Sequence, residues 1–448
     1  MRIDTGDTAW VLVSAALVMF MTPGLALFYG GLVRAKNVLG TVMQSLIALG
    51  VVTVLWVLVG YSLVFGSDHG LLTGGLEYLG LRGVGADPMA LAPSVPASAF
   101  MVFQMMFAVI TPALITGAFA ERMRFGGYLL FLGLWSLLVY VPVAHWVWGG
   151  GFLGAAGVGA LDFAGGTVVH VNAGAAALAT ALYLGRRRGF GTGALRPHNV
   201  PMVLLGAGIL WFGWFGFNAG SALSAGGLAS SAFVATHLGA AGGMLGWLVP
   251  ERLRHERATT IGAATGAIAG LVAITPASGY VAPLPALAIG LAAGVVCFLA
   301  VELKGRLRLD DSLDVVGVHM VGGIVGALLT GVFASLAVNP AGADGSLGQV
   351  ARQGAAVGVT LCFSFLATMV ILRLVDRTVG LRVSEDVEEE GLDRSIHGES
   401  AYAWSDRTDG TRTLPFDPDA ELAKLREQLV VEATRRTVQA LQPPDPLD

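Results

Sequence analysis

The sequence is poor in charge. Asp, Glu, Lys and Arg make up 13% of its 448 residues, where a soluble domain carries roughly 25%. So little charge cannot clothe a water-facing surface of this size. Cysteine is nearly absent: Cys297 and Cys362 are the 2 present, each inside an apolar run. Their spacing excludes a disulfide framework and a cysteine metal site, and both read as small buried hydrophobes. A net charge of -4 offers no basic surface to nucleic acid. The opening MRIDTGDTAW lacks the basic stretch and cleavage site of a secretory signal. A spanning helix is expected there instead.

Apolar residues are abundant, at 54%, and so is glycine, with 63 residues. Small residues let helices approach closely in lipid. Apolar runs of spanning length, about 20 residues, recur near 9–31, 42–65, 99–120, 127–148, 165–184, 199–220, 230–250, 260–277, 283–303, 314–337 and 352–375. The expectation is an all-α membrane protein of eleven transmembrane helices, a multi-pass protein in contact with membrane lipid. Residues 1–376 form its transmembrane domain and 377–448 a tail.

Lys and Arg are unevenly shared between alternate loops. One set holds Arg34, Lys36, Arg122, Arg124, Arg186, Arg187, Arg188, Arg196, Arg252, Arg254, Arg257, Lys304, Arg306 and Arg308; the other holds Arg2, Arg82 and Arg352. The basic side is expected to be cytoplasmic. With an odd span count the N-terminus lies outside and the C-terminus inside. The tail is rich in Asp, Glu and Arg, and residues 419–442 have helical spacing of Leu422, Leu425 and Leu429. That segment reads as a solvated amphipathic helix or one that binds itself or a partner.

Ionisable residues at membrane depth are costly and mark pathways. His170 lies in the fifth span and His319 in the tenth, each preceded eight residues earlier by an aspartate, Asp162 and Asp311. Five spans plus five spans is an odd repeat, so the second half is inverted relative to the first. Such a repeat brings equivalent positions together near the midplane, which implies that the two imidazoles face each other in one pore. The plainer alternative is that each histidine bonds to a neighbouring helix. Asp162 fits a helix cap or a favourable field for an entering cation. Asp311 and Asp314 fit caps at the inner mouth, and His145 and His237 read as structural.

Aromatic residues form a second constellation. Trp148 follows the fourth span, Phe103 and Phe107 lie one turn apart, and Trp211, Trp214, Phe215 and Phe217 precede Ser221. Aromatic faces attract cations, and a serine hydroxyl accepts N–H bonds. The alternative is an interfacial belt and core packing.

The segments LDFAGGTVVHVNAG, WFGWFGFNAGSA, HWVWGGGFL, DVVGVHMVGGIVG and EEEGLDRSIHGESAY resemble those of the ammonium transporters of the Amt/Mep/Rh superfamily, the bacterial Amt branch above all. The resemblance implies a homotrimer with one ammonium/ammonia pore per subunit, in the cell membrane, and no cofactor. It implies recruitment at Trp148, Ser221 and Phe107 with Asp162 holding that site in shape, a gate of Phe107 and Phe217, and a pore lined by His170, His319 and Trp214. The EEEGLDRSIHGESAY segment resembles a docking site for PII-type signal proteins. An ammonium sensor and a Rhesus-type neutral gas channel remain the alternative readings.

Overall fold

The computed structural model describes residues 2–68, 70, 72–192, 195–402, 426, 428–430 and 433. The chain divides into two compact units, Met1–Glu399 and Ser400–Asp448. In the second unit Arg426, Gln428, Leu429, Val430 and Ala433 are helical and exposed, and the rest of the helix expected over 419–442 lies outside the described residues.

Among the described residues, the first unit holds ten helices long and apolar enough to cross a membrane, plus a shorter one. They are α1 (Thr5–Leu32), α2 (Ala35–Phe65), α3 (Ala97–Phe119), α4 (Phe125–Trp148), α5 (Gly166–Leu184), α6 (Val200–Ala222), α7 (Gly227–His255), the shorter α8 (Thr260–Ile274), α9 (Pro283–Arg306), α10 (Val316–Phe333) and α11 (Leu347–Thr378). Two short helices come after these, α12 (Glu385–Glu390) and α13 (Leu392–His397). A small hairpin, β1 (Pro88–Met89) and β2 (Ala92–Pro96), joins α2 to α3.

Local chemistry sets the helix ends. Asp4 accepts from Asp7 N at 2.9 Å, Thr259 from Gly262 N at 2.8 Å and Ser346 from Gln349 N at 3.0 Å, each satisfying an orphan donor of a first turn. Pro283 opens α9, where its missing N–H costs nothing. Pro276 cannot donate the bond that would extend α8, so this helix stops at Ile274, short of the expected 277. In the opposite sense, α11 starts at Leu347, five residues before the expected run. Polar Gln349 and Gln353 are buried in those early turns, where a hydropathy run does not register them.

Small residues determine how closely α7, α8 and α9 approach. A Cβ on Gly270 would lie 2.1 Å from Gly239 O, and one on Gly290 would lie 2.2 Å from that same oxygen. In lipid there is no hydrophobic drive between helices, and such backbone contact supplies the packing instead. Cys297 is buried as expected, but Cys362 is exposed on the outward face of α11. A thiol is apolar enough to face outward there.

Two of the long helices open on π-turns. Gly166–Val171 opens α5 and carries His170, and Val316–Met320 opens α10 and carries His319. The body of α5 contacts the π-turn of α10, and the body of α10 contacts the π-turn of α5. The two segments therefore cross reciprocally at the centre of the bundle.

Candidate functional site

On one face of the bundle lies an open vestibule of about 390 Å³, lined among others by Phe107, Trp148, Asp162 and Ser221. Four different segments deliver these side chains: α3, the end of α4, the loop before α5 and the end of α6. Trp148 is fixed by its indole N–H, which donates to Asp162 O at 3.0 Å. The Ser221 hydroxyl donates to Phe217 O at 2.9 Å, leaving its lone pairs free to accept.

Asp162 organises this rim. Its Oδ1 accepts from Gly165 N and Gly166 N, both at 2.7 Å, and its Oδ2 from Thr167 N at 2.8 Å and Val168 N at 3.1 Å. Those four donors are the orphan N–H groups of the α5 start. The chain reaches this geometry through Gly165, at φ 118°, where a Cβ would lie 2.6 Å from a Val169 methyl. Burial pushes the Asp162 carboxyl above its ordinary range, and the four N–H bonds pull the other way. Asp311 plays the same part before α10, accepting from Val316 N at 2.7 Å. Asp314 does not cap; it pairs with Lys304.

Below the vestibule the path is closed by rings. Phe107 stands edge-on to Trp148, centroids 5.7 Å apart at 87°. Phe107 and Phe217 overlap at 4.3 Å and 38°. Phe217 stacks in turn on His170 at 6.1 Å and 23°. Trp214 stacks on the same imidazole at 5.5 Å and 28°, its N–H held by Thr275 Oγ1 at 2.9 Å. Thr275 belongs to the unwound end of α8 and was not singled out by its sequence context.

His170 Nδ1 and His319 Nδ1 approach to 3.2 Å, and both rings are buried. For that contact to be a hydrogen bond one nitrogen carries hydrogen and the other does not, so the pair holds opposite tautomers. Their Nε2 atoms then differ in kind, one a donor and one an acceptor. His170 Nε2 has no partner among the described residues. The two rings border a narrow space of about 20 Å³ that is otherwise apolar, lined by Ile110, Leu114 and Leu210 among others. A water needs about 10–15 Å³ on this measure, so molecules of that size fit singly. Beyond His319 lies a second space of about 40 Å³, lined by Tyr29 and Asp314 among others.

Not every aromatic residue of the sequence constellation joins this line. Trp214 and Phe217 face the tube, whereas Trp211 and Phe215 pack on His237, and Phe215 also stacks on Phe233. Phe103 contacts Phe107 from behind at 5.0 Å. His145 is buried and bonds to Val64 O at 2.7 Å and to Asp68 at 3.4 Å.

On the face opposite the vestibule the basic loops meet in a buried ionic cluster. Glu121 accepts from Arg34 N at 2.8 Å, Asn37 Nδ2 at 3.0 Å and Arg187 Nη1 at 3.1 Å. Arg187 also pairs with Asp310, Nη2 to Oδ1 at 2.8 Å. Asn37 and Asp393 tie this cluster to α13: Leu392 N donates to Asn37 Oδ1, and Gly40 N to Asp393 Oδ1, both at 2.8 Å. Burial opposes the charge on Glu121 and Asp310, yet their arginine partners hold both carboxyls below the ordinary range. A depressed native pKa adds stability that is complete above the unfolded value and is lost as pH falls through the native one. Melting of the detergent-solubilised protein is therefore expected to weaken below about pH 4, the unperturbed carboxylate range. Glu121→Gln should lower the neutral-pH midpoint and flatten that acid limb.

A bundle of apolar helices around a narrow tube, entered through aromatic rings and lined by two imidazoles, defines a multi-pass membrane transport protein of the plasma membrane. Residues 9–402 match the model of the Ammonium Transporter Family. An "Ammonium transporter" of Mycobacterium bovis is 51% identical, over 89% of this chain and 90% of that one. The crystal structure of Saccharomyces cerevisiae Mep2 superposes with a TM-score of 0.81 at 39% identity, covering 86% of this chain and 89% of that one. A solved chain described as "Sensor Amt Protein" superposes with a TM-score of 0.80 at 30% identity, covering 87% of this chain and 97% of that one. The chain belongs to the ammonium transporter family.

Proposed function

We propose that this protein recruits ammonium at Trp148, Ser221 and Phe107, deprotonates it, and passes ammonia along the tube beside His170 and His319. The observation that carries the reading is the unbroken line of rings from Trp148 to the imidazole pair, which ends in the 3.2 Å Nδ1–Nδ1 contact.

Ammonium and potassium are alike in charge and size, so a size filter separates them poorly. Ammonium has N–H donors for Ser221 and a proton to lose; potassium has neither. Cation–π attraction at Trp148 and Phe107 concentrates the cation at the mouth, worth about 2 kcal/mol once desolvated. An intact ion in an apolar tube meets a desolvation cost of several kcal/mol or more. Splitting it into ammonia and a proton avoids most of that cost. Two touching imidazoles of opposite tautomer suit a separate proton transfer, since each both donates and accepts.

Counting α8 as a span gives eleven: two oppositely oriented sets of five, α1–α5 and α6–α10, followed by α11. The reciprocal crossing of α5 and α10, each with an upstream carboxylate cap, supports that repeat. The basic face is cytoplasmic on this reading, the vestibule outside, the N-terminus outside and the C-terminus inside. Residues 1–376 are the transport domain and 377–448 a regulatory tail. The resemblance extends the proposal to a homotrimer and to a PII-type signal protein at the segment 388–402. Transport rather than enzymatic chemistry is the activity, with no cofactor.

A sensor that signals without flux is the second reading, favoured by the likeness to the solved "Sensor Amt Protein". A neutral gas channel of the Rhesus type fits less well, because a gas needs no cation-binding mouth. Current from purified protein in liposomes under an ammonium gradient, with a potassium control, separates these. Ammonium-driven flux without potassium current is expected; its absence would leave the sensor reading. Phe217→Ala should change the flux several-fold while the melting midpoint holds within a few degrees. Aromatic truncation in a core costs about 3–5 kcal/mol, but this ring borders the narrow tube beside His170, where the space left can be taken up by the permeant molecule. Unchanged flux would remove Phe217 from the gate.

A further inference from the structure

The vestibule carries a charge that recruitment by rings and a hydroxyl leaves unused. Two of its lining residues are charged, Asp162 and Arg352. The Asp162 carboxylate is engaged by four backbone N–H groups. Arg352 is exposed, and no ion pair or hydrogen bond reaches its side chain among the described residues.

The chain holds Arg352 there by its neighbours. Gln353 accepts from Leu161 N at 2.6 Å and donates to Leu161 O at 2.7 Å, while Gln349 donates to Gly159 O at 3.0 Å. These bonds clamp the first turns of α11 to the strand of loop that leads into Asp162. The Arg352 side chain lies across Gly159, where a Cβ would come within 3.0 Å of its Nη1. Gly159 has φ 74°, so a side chain is disfavoured at that position twice over. A guanidinium stays charged at every physiological pH. A fixed cation thus stands at the entrance of a site that collects a cation.

We propose that Arg352 sets the affinity of cation recruitment by holding it down. Its charge opposes the accumulation of ammonium in the vestibule and so fixes the half-saturating concentration. It does so without touching the gate or the imidazole pair. The inference rests on the vestibule being the recruitment site.

The repulsion acts through water and is screened over about 8–10 Å at moderate salt. Ammonium uptake into proteoliposomes, titrated at low and at high ionic strength, reads it directly. Arg352→Gln should lower the half-saturating concentration roughly three- to tenfold at low ionic strength, as removal of one exposed charge implies. The maximal rate should not move, and the difference should shrink at high ionic strength. Arg352→Lys keeps the charge and should behave as the unaltered protein does. A half-saturating concentration unmoved by Arg352→Gln overturns the proposal. So does a lysine variant that shifts as far as the glutamine variant, because shape rather than charge would then be at work. Trp148→Leu separates the two levels of failure. If it leaves affinity untouched, the recruitment site itself is wrong; if it weakens affinity while Arg352→Gln does nothing, the role of Arg352 alone is wrong.

Discussion

His319→Glu is expected to admit potassium. In the unaltered tube the two imidazoles are buried and surrounded by apolar side chains and rings. An ion passing them pays its desolvation cost with no fixed charge in return. A carboxylate at that point supplies the charge. It lowers the barrier for any small monovalent cation, whether or not that cation can lose a proton. Potassium current should rise from background by at least about tenfold, which corresponds to a barrier lowered by at least about 1.4 kcal/mol. His170→Asp should act in the same direction. The measurement is current in planar bilayers or liposomes with potassium as the permeant cation. A variant that folds, keeps ammonium flux and still rejects potassium would leave deprotonation at the pair without its main support.

The second large effect belongs to Asp162→Ala. That carboxylate satisfies four N–H groups at the start of α5, within the segment that carries His170. A buried donor left unsatisfied costs about 1–3 kcal/mol, so removing the two oxygens that serve all four donors costs several kcal/mol. The same loop carries the carbonyl that holds Trp148. Alanine should therefore lower the melting midpoint by several degrees and abolish ammonium uptake together. Asparagine keeps one acceptor oxygen but sets an amide N–H₂ against facing N–H donors. It should recover part of the stability and little of the transport. Normal uptake by a stable Asp162→Ala protein would show that the carboxylate positions nothing.

Much of the fold was legible because lipid imposes a coarse rule: a spanning helix needs a long apolar run. Ten runs correspond to the ten long helices, with boundaries that shift where polar caps or prolines intervene, as at Pro276 and Gln349. The histidine pair was legible because each imidazole repeats the same spacing from an aspartate, and the fold brings them to 3.2 Å. By composition and spacing the aromatic run before Ser221 reads only as a group, and it is the family resemblance that singles out Trp214 and Phe217. Which rings face the tube depends on the neighbours of α6, and Trp211 and Phe215 turn to His237 instead. The ionic cluster was not legible. Arg34 and Arg187 count in a sequence as loop charges that set orientation, and their convergence on Glu121 joins positions 66 to 87 residues apart. Thr275 and Gln353 carry no periodic signal at all, since one side-chain oxygen or amide in an apolar stretch looks alike whether it faces lipid or a partner.

Each histidine sits where its helix is wound one residue wider than usual. Loosened winding of this kind is equivalent to one extra residue in an ordinary helix. Deleting Val168 or Val318 would let regular winding resume and would close the widened turn, while the helix beyond it kept its direction. The imidazole would lose the position that this turn gives it, although both rings and the gate had been kept. Spacing in the backbone, as much as the identity of the rings, sets where the two imidazoles meet.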